Sequence, residues 1–272
     1  CVCRTYTMSS PWIFICPSSR GIGHALTMNL LRTTRVPVLA TTRHSDLQDA
    51  KSRLLSPFPS SERNSISERL HLTQCDVTDE SSVASAAKVA KDMFPRDQFH
   101  LRLAFALPGV LTVEKSPEKV DFDVAKKAFE VNALGGLMLS KYFMGFMPRK
   151  VDESAEGLPK HAVWVNMSAR VGSTSDNRSG GWFSYRGSKA AVNSITKALD
   201  IHLRNRGGGS MAVAYHPGTV KTEFTKQFWG SVPEEKLFDV DDAAEKMRKV
   251  VWGLRRDDGG KCWDWKGEEI LP

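Results

Sequence analysis

Nothing in the chain approaches the roughly 18 consecutive apolar residues that a membrane-crossing helix needs, so the sequence offers no transmembrane segment. Cysteine is scarce: five residues in 272, namely Cys1, Cys3, Cys16, Cys75 and Cys262. An odd number in a chain of this length speaks against a disulfide framework. No second pair matches Cys1 and Cys3 to complete a zinc site, and no metal is expected. Cys16 and Cys75 end apolar runs and read as buried thiols, which fits a reducing, cytoplasmic setting. No internal repeat and no linker-like stretch divides the chain.

What is present is ordinary for a globular protein, with 41% hydrophobic and 25% charged residues. The net charge of +7 comes from scattered Lys and Arg with acidic neighbours. That is the pattern of a solvated surface, and neither nucleic acid nor membrane is expected as a partner. Residues 1–7 carry one Arg and no long apolar stretch, and Met8-Ser9-Ser10-Pro11 reads like a natural start. Residues 1–11 are therefore expected to form a disordered extension, and 12–272 a single domain.

Short apolar runs alternate with helical patterns. Strands are expected at Trp12 to Cys16, Val36 to Thr42, His71 to Val77, Leu101 to Leu107, His161 to Met167, Met211 to Tyr215 and Lys261 to Trp265. Helices are expected at Gly23 to Thr33, 45–55, Ser81 to Phe94, Val124 to Phe146, Tyr185 to Arg204 and Asp239 to Leu254. The polar stretch Ser56 to Arg63 reads as a loop, and Arg149 to Lys160 as a charged one. Near-continuous apolar strands alternating with helices imply an α/β fold: one Rossmann-type, doubly wound parallel sheet of about seven strands with helices on both faces.

The first strand runs into Pro17-Ser18-Ser19-Arg20-Gly21-Ile22-Gly23 before a helix opens. Glycines there let the backbone approach a pyrophosphate, and the helix N-terminus aims free N–H groups at the anion. Ser18, Ser19, Arg20, Gly21, Ile22 and Gly23 are the expected phosphate-side residues; a tight turn without ligand is the plain alternative. The second strand ends Thr41-Thr42-Arg43-His44, with no carboxylate before Asp46 to hold a ribose hydroxyl. Arg43, with Arg20 nearby, suits a 2′-phosphate instead, so NADP(H) is the expected cofactor. Asp76 and Val77, closing the third strand, are expected near the adenine, although Asp76 could equally cap a helix.

Tyr185 and Lys189 stand four apart at the start of a helix, on one face. A free tyrosine, with a pKa near ~10, is a poor proton donor or acceptor at neutral pH, and a neighbouring ammonium favours its phenolate. With Phe129-Glu130-Val131-Asn132, Ser168-Ala169-Arg170-Val171-Gly172-Ser173, Gly180-Gly181-Trp182-Phe183-Ser184-Tyr185 and Pro217-Gly218 in this order, the chain resembles the short-chain dehydrogenase/reductase family from Trp12 onward. It looks closest to the C-factor-like and sniffer-like carbonyl reductases. The resemblance implies hydride transfer between a nicotinamide and a carbonyl or alcohol, with Tyr185 as the general acid/base. It implies Lys189 on the ribose and near the phenol, a serine on the substrate oxygen, and Asn132 on a water of a proton relay. Gly109, Pro217, Gly218, Val220 and Thr222 are implied on the nicotinamide side. Members commonly form homodimers or homotetramers through the helices expected at 124–146 and 185–204.

Three departures are visible. Pro17 stands where the family's first turn glycine stands, removing an N–H. The family's Asn-Asn-Ala-Gly reads Ala106-Leu107-Pro108-Gly109, so apolar packing is expected to replace the amides. The usual serine position holds Ala169; Ser168 is the preferred catalytic serine and Ser173 the second choice. These departures keep open a catalytically weak dinucleotide-binding sensor or partner-binding protein on the same fold.

Overall fold

The computed structural model describes residues 9–151 and 157–272. Expectations for Cys1, Cys3 and residues 1–7 lie outside the described residues, as does part of the charged loop, 152–156.

Among the described residues, ten strands form in chain order: β1 Ser10–Cys16, β2 Val38–Thr42, β3 Leu70–Gln74, β4 Phe99–Ala106, β5 Ala162–Met167, β6 Ser210–His216, β7 Thr219–Val220, β8 Leu237–Phe238, β9 Cys262–Asp264 and β10 Glu269–Ile270. Eight of them make the main sheet, in the order β10-β9-β6-β5-β4-β1-β2-β3. Every neighbouring pair is parallel except the edge pair β9 and β10. β7 and β8 pair separately. The sheet thus has one strand more than expected, because a two-residue antiparallel edge strand carries no periodicity to read. β1 begins at Ser10, so Ser10 and Pro11 belong to the sheet and not to an extension.

The helices are α1 Gly21–Thr33, α2 Leu47–Leu55, α3 Ser60–Arg69, α4 Glu80–Met93, α5 Phe122–Phe129, α6 Gly135–Phe143, α7 Phe183–Asn205 and α8 Val240–Gly253. Strand side chains alternate between two apolar layers. Ile13 and Ile15 pack with Leu26 and Leu30 of α1 and Met247 and Val251 of α8. Trp12, Phe14 and Cys16 pack with Val83 and Ala90 of α4 and Phe143 of α6. Phe14 stacks on Phe143 with centroids 4.0 Å apart; truncating such a ring costs roughly 3–5 kcal/mol.

Two expected elements change. The stretch read as a loop through Arg63 turns helical at Ser60, behind Pro59. Only Ile66 of α3 is buried, so no apolar stripe announces it, and Arg63 binds back to the Ser56 and Phe58 carbonyls. The single helix expected at 124–146 is interrupted by a π-helical turn, Glu130–Leu134, between α5 and α6. Asn132 sits in that turn, and such bulges recur at functional sites.

The strand order reverses at β1, whose neighbours are β2 and β4. In open parallel sheets, ligands bind beyond the carboxyl ends of the strands at this switch point. The segments leaving β1, β4, β5 and β6 all meet there. Among the described residues, no helix is long and apolar enough to cross a membrane.

Candidate active site

The turn after β1 is shaped by two glycines. Gly21 adopts φ +57°, which favours glycine. A Cβ on Gly23 would lie 1.9 Å from the Pro17 carbonyl oxygen, so only hydrogen fits. Ser18 is fully buried, and its N–H and hydroxyl both donate to the Thr41 carbonyl, tying the turn to the end of β2. Ser19 and Arg20 are exposed. The N-terminus of α1 has no side-chain cap and no acidic residue in its first turn. Its unpaired N–H groups therefore suit an anion. Arg43, just beyond β2, is exposed, and its charge helps hold the Asp76 carboxyl below its usual range. The larger cause at Asp76 is hydrogen bonding: one oxygen accepts from the Thr78 N–H at 2.9 Å and the Thr78 hydroxyl at 2.8 Å. β3 stops at Gln74, so Asp76 and Val77 lie in the turn after the strand and do not close it. Exposed arginines, an uncapped helix end and tight glycines together form a donor set that suits a phosphorylated dinucleotide.

The segment after β6 returns to this turn. Gly218 adopts φ +75° against Phe238 and Trp265. Val220 is buried, and Ile22 packs against its cluster. A Cβ on Gly21 would meet Thr222 at 3.4 Å. Gly109 lies between Phe224 and Asn132, 3.6 and 3.8 Å from where its Cβ would be.

α7 brings the titratable groups. Tyr185 is its third residue and Lys189 follows one turn later; both are buried. The Lys189 Nζ donates to the Met167 carbonyl at the end of β5 at 2.8 Å and lies 5.8 Å from the Tyr185 ring centroid. Burial brings the Lys189 pKa down to about 7 and pushes the Tyr185 phenol up. In the protein alone, burial of the phenol outweighs the stabilisation of the phenolate expected from Lys189. Asn132 works as a clamp. Its Oδ1 accepts from the Val110 N–H at 2.7 Å, and its Nδ2 donates to the Val110 carbonyl at 3.0 Å and to Ser188 Oγ at 2.9 Å. Ser188 Oγ in turn donates to the Tyr185 carbonyl at 2.8 Å. The loop after β4 is thereby fastened to the first turn of α7.

Both candidate serines are buried and bonded. Ser168 Oγ donates to Asn193 Oδ1 at 2.7 Å. Ser173 Oγ accepts the Asp176 N–H at 3.0 Å. Where amides were expected to give way to apolar packing beside Ala106, the sheet is braced from β5 instead. Asn166 accepts from the Trp164 indole at 2.9 Å and donates to Thr196 of α7 at 2.9 Å. Sequence reasoning missed Ser188 and Asn193, although Asn193 continues the four-residue spacing of Tyr185 and Lys189. It also missed Glu114, whose burial no local pattern signals. α7 is preceded by three left-handed residues, Gly180, Gly181 and Trp182; Trp182, at φ +55°, donates its N–H to the Glu114 carbonyl at 2.6 Å.

Comparison with known proteins adds the relatives. The short chain dehydrogenase family model matches residues 11–231. A 1-hydroxy-2-glutathionyl-2-methyl-3-butene dehydrogenase of Rhodococcus sp. is 30% identical over 188 residues, covering 68% of this chain and 73% of that protein. An NADPH-dependent aldehyde reductase-like chloroplastic protein of Arabidopsis thaliana is 28% identical over 266 residues, 94% and 89% of the two chains. The carbonyl reductase Sniffer of D. melanogaster has the same fold, with a TM-score of 0.77 at 21% identity over 97% of this chain and 100% of that one. An NADPH-bound carbonyl reductase from chicken fatty liver scores 0.77 at 24% identity, over 97% and 95%. With the family model spanning the glycine turn, the Asn132 clamp and the Tyr185 helix, this chain belongs to the short chain dehydrogenase family.

Proposed function

We propose that the chain, through a single domain that begins with β1, is an NADP(H)-dependent oxidoreductase that interconverts a carbonyl and an alcohol. The observation that carries this reading is the buried Lys189 ammonium beside the buried Tyr185 phenol, at the carboxyl edge of a sheet whose glycine turn suits a dinucleotide. NADP(H), when bound, supplies or accepts the hydride. Ser19, Gly21, Ile22 and Gly23 cradle the pyrophosphate, while Ser18, expected among them, has both donors on the Thr41 carbonyl and holds the turn in place; Arg20 and Arg43 take the 2′-phosphate by charge-assisted hydrogen bonds. Asp76 and Val77 face the adenine; Gly109, Pro217, Gly218, Val220 and Thr222 border the nicotinamide.

Tyr185 donates its phenolic proton to the substrate oxygen in the reductive direction and takes it back in the oxidative one. Raised by burial, the phenol is held protonated for donation. Lys189, when charged, stabilises the phenolate left behind and binds the ribose. Asn132 keeps the loop after β4 and the start of α7 in register. A serine hydrogen-bonds the substrate oxygen. Phe122, Val124, Leu134 and Phe183 are exposed on α5, the π turn and α7, which supports a homodimer or homotetramer built on these helices.

The test is NADPH and NADH binding by fluorescence titration, followed by NADPH consumption with a panel of aldehydes and ketones. Tighter NADPH binding with turnover is expected, and Tyr185→Phe should lower kcat by about 10²–10⁴-fold while leaving NADPH affinity unchanged. Binding without turnover of any substrate would favour the sensor reading, which Pro17 and Ala169 motivate. Wild-type turnover in Tyr185→Phe would remove Tyr185 from the mechanism.

A further inference from the structure

Four carboxylate side chains are buried among the described residues: Glu114, Asp200, Asp258 and Asp264. Three are supplied with donors. Asp200 accepts from the Ala212 N–H and from Arg256. Asp258 accepts the Arg255 N–H. Asp264 accepts from Arg170 and from the Lys266 and Glu268 N–H groups. Glu114 differs. It is 5% exposed, yet neither of its carboxylate oxygens has a hydrogen-bond partner. Thr112, two residues back in the same stretch and also buried, has an unpartnered hydroxyl. Val113 and Lys115 between and beyond them are exposed. The alternation places Thr112 and Glu114 on one inward side of the chain leaving β4. A buried carboxylate is normally paired, because desolvating a charge without donors is unfavourable. An orphaned one beside an active site implies that the donors arrive with a ligand.

The surroundings indicate which donors. Through its carbonyl, Glu114 holds the N–H of Trp182, the strained residue that opens the Tyr185 helix. The Trp182 ring lies 6.3 Å from the Tyr185 ring and 5.1 Å from Phe228, and Phe224 lies 6.3 Å from Tyr185. The carbonyl contact joins the residue that carries the unpaired carboxylate to this cluster of four rings, and rings with a carboxylate are the chemistry of ammonium recognition: ring faces attract a cation, and the carboxylate takes its N–H donors. An ammonium brings three N–H donors to the two unpartnered oxygens, whereas a hydroxyl brings one.

We propose that Glu114 is a specificity-determining residue that receives a cationic amino group, so that the substrate is an amine-bearing aldehyde or ketone, or its amino alcohol. This rests on the oxidoreductase reading of the same site for the word substrate, and on Glu114 alone for the amine. Hydride goes to the carbonyl carbon and the Tyr185 proton to its oxygen; the ammonium takes no part in the bond changes.

Binding and turnover test the two parts separately. Benzylamine and benzyl alcohol are titrated calorimetrically into the full chain, with and without saturating NADP⁺. Benzylamine should bind the wild type at least about tenfold more tightly than the alcohol. Glu114→Gln, nearly the same shape without the charge, should bring the two to parity, and Tyr185→Phe should keep the preference. NADPH consumption with 4-(aminomethyl)benzaldehyde against 4-(hydroxymethyl)benzaldehyde should show a similar ratio of kcat/KM in the wild type, lost in Glu114→Gln. Equal binding of amine and alcohol by the wild type overturns the proposal and needs no variant to do so. A preference that survives Glu114→Gln also overturns it. Glu114-dependent amine binding with neither aldehyde reduced would keep the amine site and remove the oxidoreductase reading. Equal turnover of both aldehydes would do the reverse.

Discussion

Ser168 and Ser173 differ in what their hydroxyl hydrogens do. Ser168 donates to Asn193, whereas Ser173 accepts from the Asp176 N–H and keeps its hydrogen for another acceptor. A substrate oxygen needs a donor, so we propose Ser173 as the substrate-binding serine, where the sequence reading favoured Ser168 with Ser173 second. Ser173→Ala should lower kcat by about 100-fold, the scale of one oxyanion donor, with thermal stability near that of the wild type. Ser168→Ala should instead cost about 1 kcal/mol of stability and leave kcat within a few-fold. NADPH consumption and thermal unfolding of the two variants check this; the opposite pattern would return the role to Ser168. At this scale, Tyr185 and Lys189 could be singled out because their four-residue spacing is chemical, and Asn132 through the family resemblance. Glu114 was not, because a glutamate between Val113 and Lys115 looks like any solvated charge until the fold buries it.

The β1–α1 unit depends on one hydrogen atom. With its Cβ position 1.9 Å from the Pro17 oxygen, Gly23 cannot become alanine without moving the turn or the helix. Overpacking of this kind costs roughly 1–3 kcal/mol. Gly23→Ala should lower the melting temperature and weaken NADPH binding at least about tenfold, as fluorescence titration would show. Unchanged affinity would place the phosphates elsewhere. The unit was readable in sequence because an apolar run, a glycine turn and a periodic helix follow one another. The π turn at Glu130–Leu134 was not, since one extra residue in a helical ladder leaves no periodic mark. α3 escaped notice because it is polar nearly all round.

For the whole molecule, buried titratable groups set how stability varies with pH. Lys189 titrates near 7 when folded and near 10.5 otherwise. Between those values the unfolded chain holds more protons, so stability rises with pH, by at most about 5 kcal/mol. His216, brought down to about 4 by burial, acts in the same sense at lower pH. Tyr185, Tyr215 and Cys262 are raised by burial, so the unfolded chain releases their protons first and stability falls above about pH 9. Without nucleotide, the urea midpoint should therefore rise from pH 7 to a maximum near 9. Lys189→Met should be more stable than wild type at pH 7 and lose that slope. A flat wild-type profile from pH 7 to 9 would mean that Lys189 keeps its ordinary pKa. The sequence alone determined the layered parallel fold, the glycine turn and the four-residue spacing of Tyr185 and Lys189, because periodicity and fixed spacing are local and survive in one dimension. Only the tertiary structure decided the hydrogen bonds that the two serines make, that β5 supplies the sheet's amide brace, and that Glu114 lies buried with its carboxylate unpaired and its carbonyl on Trp182. Burial and hydrogen-bond pairing arise between residues far apart in the chain, where no local pattern records them.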